Sequence, residues 1–110
     1  MDARILQVNF TLDGISQADY DAACQSFSGP IAAVPGLRWK IWLVNEAEHR
    51  VGGIYLFDDE RALRAYADGP IVAQIRAAPF VRDLEVREFD VMPDHSAVTR
   101  APLAAVPAGV

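Results

Sequence analysis

The stretch RWKIW, residues 38–42, sets an indole on either side of one ammonium group, with Trp39 and Trp42 flanking Lys40 and Ile41. Further along, GGIYLF brings Tyr55 and Phe57, and His49 lies between the two stretches. A histidine titrates near neutrality and suits a general base. A tyrosine hydroxyl or an indole N–H can donate to a developing oxyanion. Lys40 can hold an anion, and Trp39, Trp42 and Phe57 can wall a flat apolar ring. Asn9, with Gln7 before it, adds an amide able to orient a ligand. Together these side chains could line an apolar pocket with a few polar groups.

Each residue also has a plainer reading. Buried aromatics mainly pack, and a buried Tyr55 needs a hydrogen-bond partner in any case. A lysine beside apolar residues usually lays its stem on them and keeps its ammonium in water. His49 sits in a connection between strands, where a solvated histidine is common. His95, near the end, has less claim. Gly52-Gly53 inside a strand marks a bulge or a close backbone approach. Cys24 falls on the apolar stripe of a helix, as a core residue would.

The elements that would carry these groups are legible from periodicity. Residues 4–12, RILQVNFTL, alternate, with Leu6, Val8, Phe10 and Leu12 on one face and Ile5, Gln7, Asn9 and Thr11 on the other. Asp13-Gly14 ends this strand, and Ser16 with Asp19 opens a helix in the manner of a capping box. Tyr20, Ala23, Cys24, Phe27 and Ile31 form its apolar stripe, with a break or kink expected at Gly29-Pro30. Pro35-Gly36 turns into a second strand, about 37–45, and NEAEHR links it to a third, VGGIYLFD. Asp58 or Asp59 can cap a second helix whose Ala62, Leu63 and Tyr66 face inward. Pro70 can start a further helical piece through Ala78, and a last strand covers about 81–91.

The order β-α-β-β-α-β predicts an α+β, ferredoxin-like fold: a four-stranded antiparallel sheet with its helices on one face. Residues 1–92 would form this domain. Residues 93–110, rich in Ala, Pro and Val, would form a tail that is ordered by packing on a partner subunit. In the second strand, Leu37, Trp39, Ile41 and Leu43 share one face while Trp42 and Val44 share the other with Arg38 and Lys40. Apolar residues on both faces predict that a second copy covers the bare side, giving a homodimer. A strand presents residues three apart to opposite sides, so one cavity takes only one tryptophan. The side shared with Tyr55 is the expected one.

Composition narrows the partners. The chain has 110 residues, 52% of them hydrophobic, and a formal charge of -5 without a basic stripe. Nucleic acid and membrane surfaces are therefore not expected partners. One cysteine allows no internal disulfide, and the start of the chain lacks a signal-peptide pattern, so the cytoplasm is the expected location. Two histidines and one cysteine lie far apart, without metal-ligand spacing. G-x-G-x-x-G, P-loop and G-x-S-x-G motifs are absent, which disfavours hydride transfer, phosphoryl transfer and serine-based hydrolysis.

PGLRWKIW, the acidic hairpin with His49, GGIYLFDDERALRAY and VREFDV resemble the YdhR-like family of mono-oxygenases over about residues 6–91. The resemblance implies a dimeric α/β-barrel that needs no cofactor and acts on an aromatic or polyketide-like substrate. At Asn9 the family can carry a histidine, whose role would not pass to this chain. In such chemistry the substrate itself, as phenolate or enolate, reduces dioxygen, and the protein removes a proton and stabilises the anion. His49 would be the base and Tyr55 a donor, with Asn9, Trp39, Lys40, Trp42 and Phe57 binding the substrate. An isomerase, lyase or cyclase on the same fold, or a dimer that only binds a small molecule, are the competing readings.

Overall fold

The computed structural model describes residues 2–104. Strand β1, Arg4–Leu12, leads to helix α1, Gln17–Ala32, and the hairpin strands β2, Leu37–Asn45, and β3, Arg50–Phe57, follow. Helices α2, Glu60–Ala67, and α3, Pro70–Ala77, precede strand β4, Val81–Asp90, and a short helix α4, Pro93–Val98. The strands pair antiparallel in the order β2-β3-β1-β4. This is the ferredoxin-like arrangement.

One face of the sheet builds the core. Leu6, Val8, Phe10 and Leu12 from β1 and Val51, Tyr55 and Phe57 from β3 are buried with Ile31 of α1, Leu63 and Tyr66 of α2 and Val72 of α3. Burying each large side chain stabilises the fold by about 1.5–3 kcal/mol. Caps hold the helices in place. The Ser16 hydroxyl accepts from the Asp19 amide at 3.1 Å, and the Asp59 carboxylate accepts from the Ala62 amide at 2.9 Å. Asp58 is left to pair with Arg38, Nε to Oδ1 at 2.7 Å.

Two expectations need correction. Helix α1 does not stop at Gly29-Pro30 but runs on to Ala32, with the Ala33 amide bonded to the Gly29 carbonyl at 3.1 Å. Only the last turn lies beyond Pro30, so one lost hydrogen bond is the main penalty, and buried Ile31 anchors that turn. In β2 the pairing slips between Leu37 and Trp39, so Leu37 stands opposite Phe57 on the core face rather than beside Trp39. The tail, as far as residue 104, contacts its own chain. After α4 it returns to β2, where the Trp39 indole N–H donates to the Pro102 carbonyl at 2.7 Å and Arg38 donates to the Leu103 carbonyl. These contacts do not bear on the expected packing of residues 93–110 on a partner subunit, of which residues 105–110 lie outside those described.

The other face carries Ile5, Ile54, Trp39, Ile41, Leu43 and Phe89 beside Gln7 and Asn9. Ile41 is 51% exposed and Phe89 46%. Among the described residues no helix is long and apolar enough to cross a membrane.

Candidate functional site

Between the core face of the sheet and helices α1 and α3 lies a cavity of about 180 Å³. Its floor is Val8, Phe10, Lys40, Trp42, Gly52 and Tyr55 from the three strands. Tyr20, Cys24 and Phe27 of α1, Gln74 and Ile75 of α3 and Phe80 close the rest. Trp42, 39% exposed, also lines the groove outside α1 and so stands at the mouth.

The hairpin register explains why an ammonium group points into this space. Lys40 pairs with Tyr55 and Trp42 with Gly53, so all four stand on the core face. A Cβ on Gly53 would come within 2.4 Å of Lys40 Cε. The missing side chain is the bed on which the lysine stem lies. Gly52, at φ +151°, permits a second close approach, since a Cβ there would sit 1.9 Å from the Val8 carbonyl oxygen. The paired glycines thus let β1 and β3 close up and let Lys40 lie down.

Lys40 Nζ stands 3.3 Å from the centroid of the Trp42 ring and 4.6 Å from that of Tyr55. It is the only charged side chain lining the cavity. Every salt bridge among the described residues is made by an arginine, and Lys40 takes part in none. Partial burial lowers its ammonium to about 8, with the Cys24 side chain acting the other way. Contact with two ring faces offsets part of that penalty, by about 2 kcal/mol when desolvated. The result is an amine that is partly neutral at physiological pH.

The tyrosines are in the opposite condition. Burial pushes the Tyr20, Tyr55 and Tyr66 hydroxyls up, so all three stay protonated. Tyr55 and Tyr66 are joined hydroxyl to hydroxyl at 2.9 Å with ring centroids 4.9 Å apart. Burial also raises the Cys24 thiol, which disfavours a thiolate.

Of the residues singled out in the sequence, Lys40, Trp42 and Tyr55 meet at the cavity, which settles that Trp42 and not Trp39 shares a face with Tyr55. The others do not line it. Trp39 lies on the opposite face, tied to Pro102. Asn9 shares that face, accepting from Gln7 Nε2 at 2.8 Å and donating to the Val51 carbonyl at 3.4 Å. Phe57 is fully buried in the core, stacked on Tyr55. The His49 side chain is exposed on the hairpin, where its backbone, at φ 55°, accepts from the Leu12 amide. Tyr55 offers the cavity its ring, while its hydroxyl is held by Tyr66. Tyr20, Cys24 and Gln74 join the lining without having been singled out for it. The sequence signal for Lys40 is that, of ten lysine and arginine residues, it is the only lysine.

A four-stranded antiparallel sheet with its helices over one face and a largely apolar cavity between them defines an α+β protein of ferredoxin-like fold. The chain belongs to the family described as "Putative mono-oxygenase ydhR", whose model matches residues 5–102. No curated protein matches it in sequence. Among solved structures it is similar to a protein of unknown function from Nitrosomonas europaea, with 20% identity and a TM-score of 0.72 over 99% of this chain and 98% of that one. It is also similar to SnoaB, a cofactor-independent oxygenase from Streptomyces nogalater, with 18% identity and a TM-score of 0.67 over 84% and 95% of the two chains. The heme-degrader MhuD from Mycobacterium tuberculosis has 17% identity and a TM-score of 0.61 over 80% and 95%. At these identities the likeness is one of fold.

The hydroxyl pair makes a prediction about stability. Tyr66→Phe strands the buried Tyr55 hydroxyl and should cost about 1–2 kcal/mol in urea unfolding. Tyr55→Phe with Tyr66→Phe should cost clearly less than the sum of the two single changes, whereas additive costs would mean that the hydroxyls do not pair.

Proposed function

We propose that the protein is a cofactor-independent mono-oxygenase of small, flat, electron-rich aromatic compounds, with Lys40 as its acid–base group. The observation that carries this reading is the unpaired lysine in an otherwise uncharged, largely apolar cavity. Membership of a mono-oxygenase family and a fold shared with SnoaB support it. A cavity of about 150 Å³ is enough for benzene, so this one suits a single ring with short substituents. A larger polyketide-like ring system requires Trp42 to move from the mouth.

In the proposed reaction the neutral Lys40 amine takes a phenolic proton, and the ammonium so formed holds the phenolate against Trp42 and Tyr55. The phenolate passes one electron to dioxygen, and the phenoxyl radical and superoxide join at a ring carbon that bears hydrogen. Lys40 returns its proton to the peroxide. Loss of the ring proton with cleavage of the O–O bond leaves a quinone and water. The sum is phenol plus dioxygen to quinone plus water. Lys40 replaces His49 as base in this scheme, because the histidine side chain is exposed on the hairpin and lines no part of the cavity.

Oxygen uptake with a panel of dihydroxyaromatic compounds in metal-free buffer tests the proposal. Activity should rise with pH through about 8 as the amine loses its proton. Lys40→Met should lower turnover by ~10²-fold or more. Lys40→Arg should do the same, since it keeps the charge but cannot give up a proton. His49→Ala should match wild type. No oxygen uptake by wild type, or full activity of both Lys40 variants, would refute the assignment and leave the lyase and binding readings.

We also infer that a second copy of the chain covers the bare face with Ile41 and Phe89, giving a homodimer. Burial at ~25 cal/mol per Å² would favour such closure. Light scattering should show a dimer at micromolar concentration; a stable folded monomer there would contradict it.

A further inference from the structure

The cavity's amine has a reactivity that proton transfer does not exhaust. Of ten basic residues nine are arginines, and the single lysine stands where no carboxylate lines the cavity. Among the described residues its Nζ lies over the faces of Trp42 and Tyr55, beside the bare backbone of Gly53, and makes no hydrogen bond or salt bridge with another side chain. An arginine there would be permanently charged, whereas a lysine can become a neutral nucleophile. The walls around it, Phe10, Phe27 and Phe80 among them, fit one aromatic ring, and the space of about 180 Å³ leaves room for a short substituent.

We propose that Lys40 captures small aryl aldehydes in this cavity as a reversible imine. The ring enters past Trp42 and the carbonyl carbon meets Nζ. A C–N bond forms while a proton passes from nitrogen to the carbonyl oxygen, giving the carbinolamine. The C–O bond then breaks, water leaves with a second proton, and the C=N bond remains. No electrons are exchanged with any other reagent. The lowered ammonium supplies neutral amine near pH 8, and the Tyr20 hydroxyl, which stays protonated and lines the same cavity, is a proton donor for loss of water. Apolar walls keep bulk water from returning to the imine. The capture needs no oxygen, so it stands or falls apart from the oxygenase reading.

The test uses the full chain with 4-hydroxybenzaldehyde under nitrogen at pH 8. Sodium cyanoborohydride fixes any imine as a secondary amine, and peptide mapping by mass spectrometry locates it. With one lysine, the only competing amine is the N-terminus. Labelling at Lys40 should saturate with aldehyde concentration and be slowed by 4-hydroxybenzyl alcohol, which has the same ring but no carbonyl. It should also run at least about tenfold faster than at the same lysine in the guanidinium-unfolded chain, where an ordinary lysine is almost fully protonated. Labelling that is linear in aldehyde, indifferent to the alcohol, or no faster than in the unfolded chain would overturn the proposal. Lys40→Arg should retain only the N-terminal adduct; an unchanged second adduct would overturn it equally.

Discussion

The pairing of β2 with β3 is the constraint on which the site depends. It sets Lys40 across from Tyr55 and Trp42 across from Gly53, and so turns one ammonium and one indole toward the helices. The missing side chain at Gly53 then gives the lysine stem a path, and the ring faces of Trp42 and Tyr55 receive its end. A one-residue slip would send Lys40 to the other face and bring Trp39 or Ile41 inward. What the lysine lacks matters as much as what it touches. A carboxylate in the cavity would hold it charged, whereas burial without a partner frees the amine.

The surrounding structure keeps that cavity apolar and firm. Behind Tyr55, the hydroxyl pair with Tyr66 ties the sheet to α2 and satisfies two buried groups at once. The two tryptophans of RWKIW serve different surfaces. Trp42 stands at the mouth of the cavity, while Trp39, on the far face, holds the returning tail through its indole N–H. Apolar residues on both sides of β2 thus have one explanation on the helix side and another on the bare side.

Alternation and capping residues made the order of elements legible, because burial on one sheet face and hydrogen bonding at helix starts are local demands. The faces of β1 followed directly. The slip at Leu37 did not, since a bulge depends on how Arg38 is accommodated against Asp58. The continuation past Pro30 turned on Ile31 finding the core, a tertiary contact. In the site, Trp42 and Lys40 could be placed on one face, but that Tyr55 joins them depends on the hairpin register, and whether the lysine lies inward or reaches water depends on Gly53 and on packing by α1. The partner of the Tyr55 hydroxyl comes from a helix eleven residues on. His49 drew attention by its residue type, yet its position in the turn keeps its side chain out of the cavity.

The proposed chemistry turns on the state of one amine, and the chain offers a direct view of it. Lysine labelled with carbon-13 at Cε should give a single ε-methylene resonance, because Lys40 is the only lysine. Followed by NMR across the pH range of the folded protein, that resonance should titrate with a midpoint near 8. A midpoint near the ordinary lysine value of about 10.4 would mean that the ammonium sits in water, and it would contradict the partly buried amine on which the proposed chemistry rests.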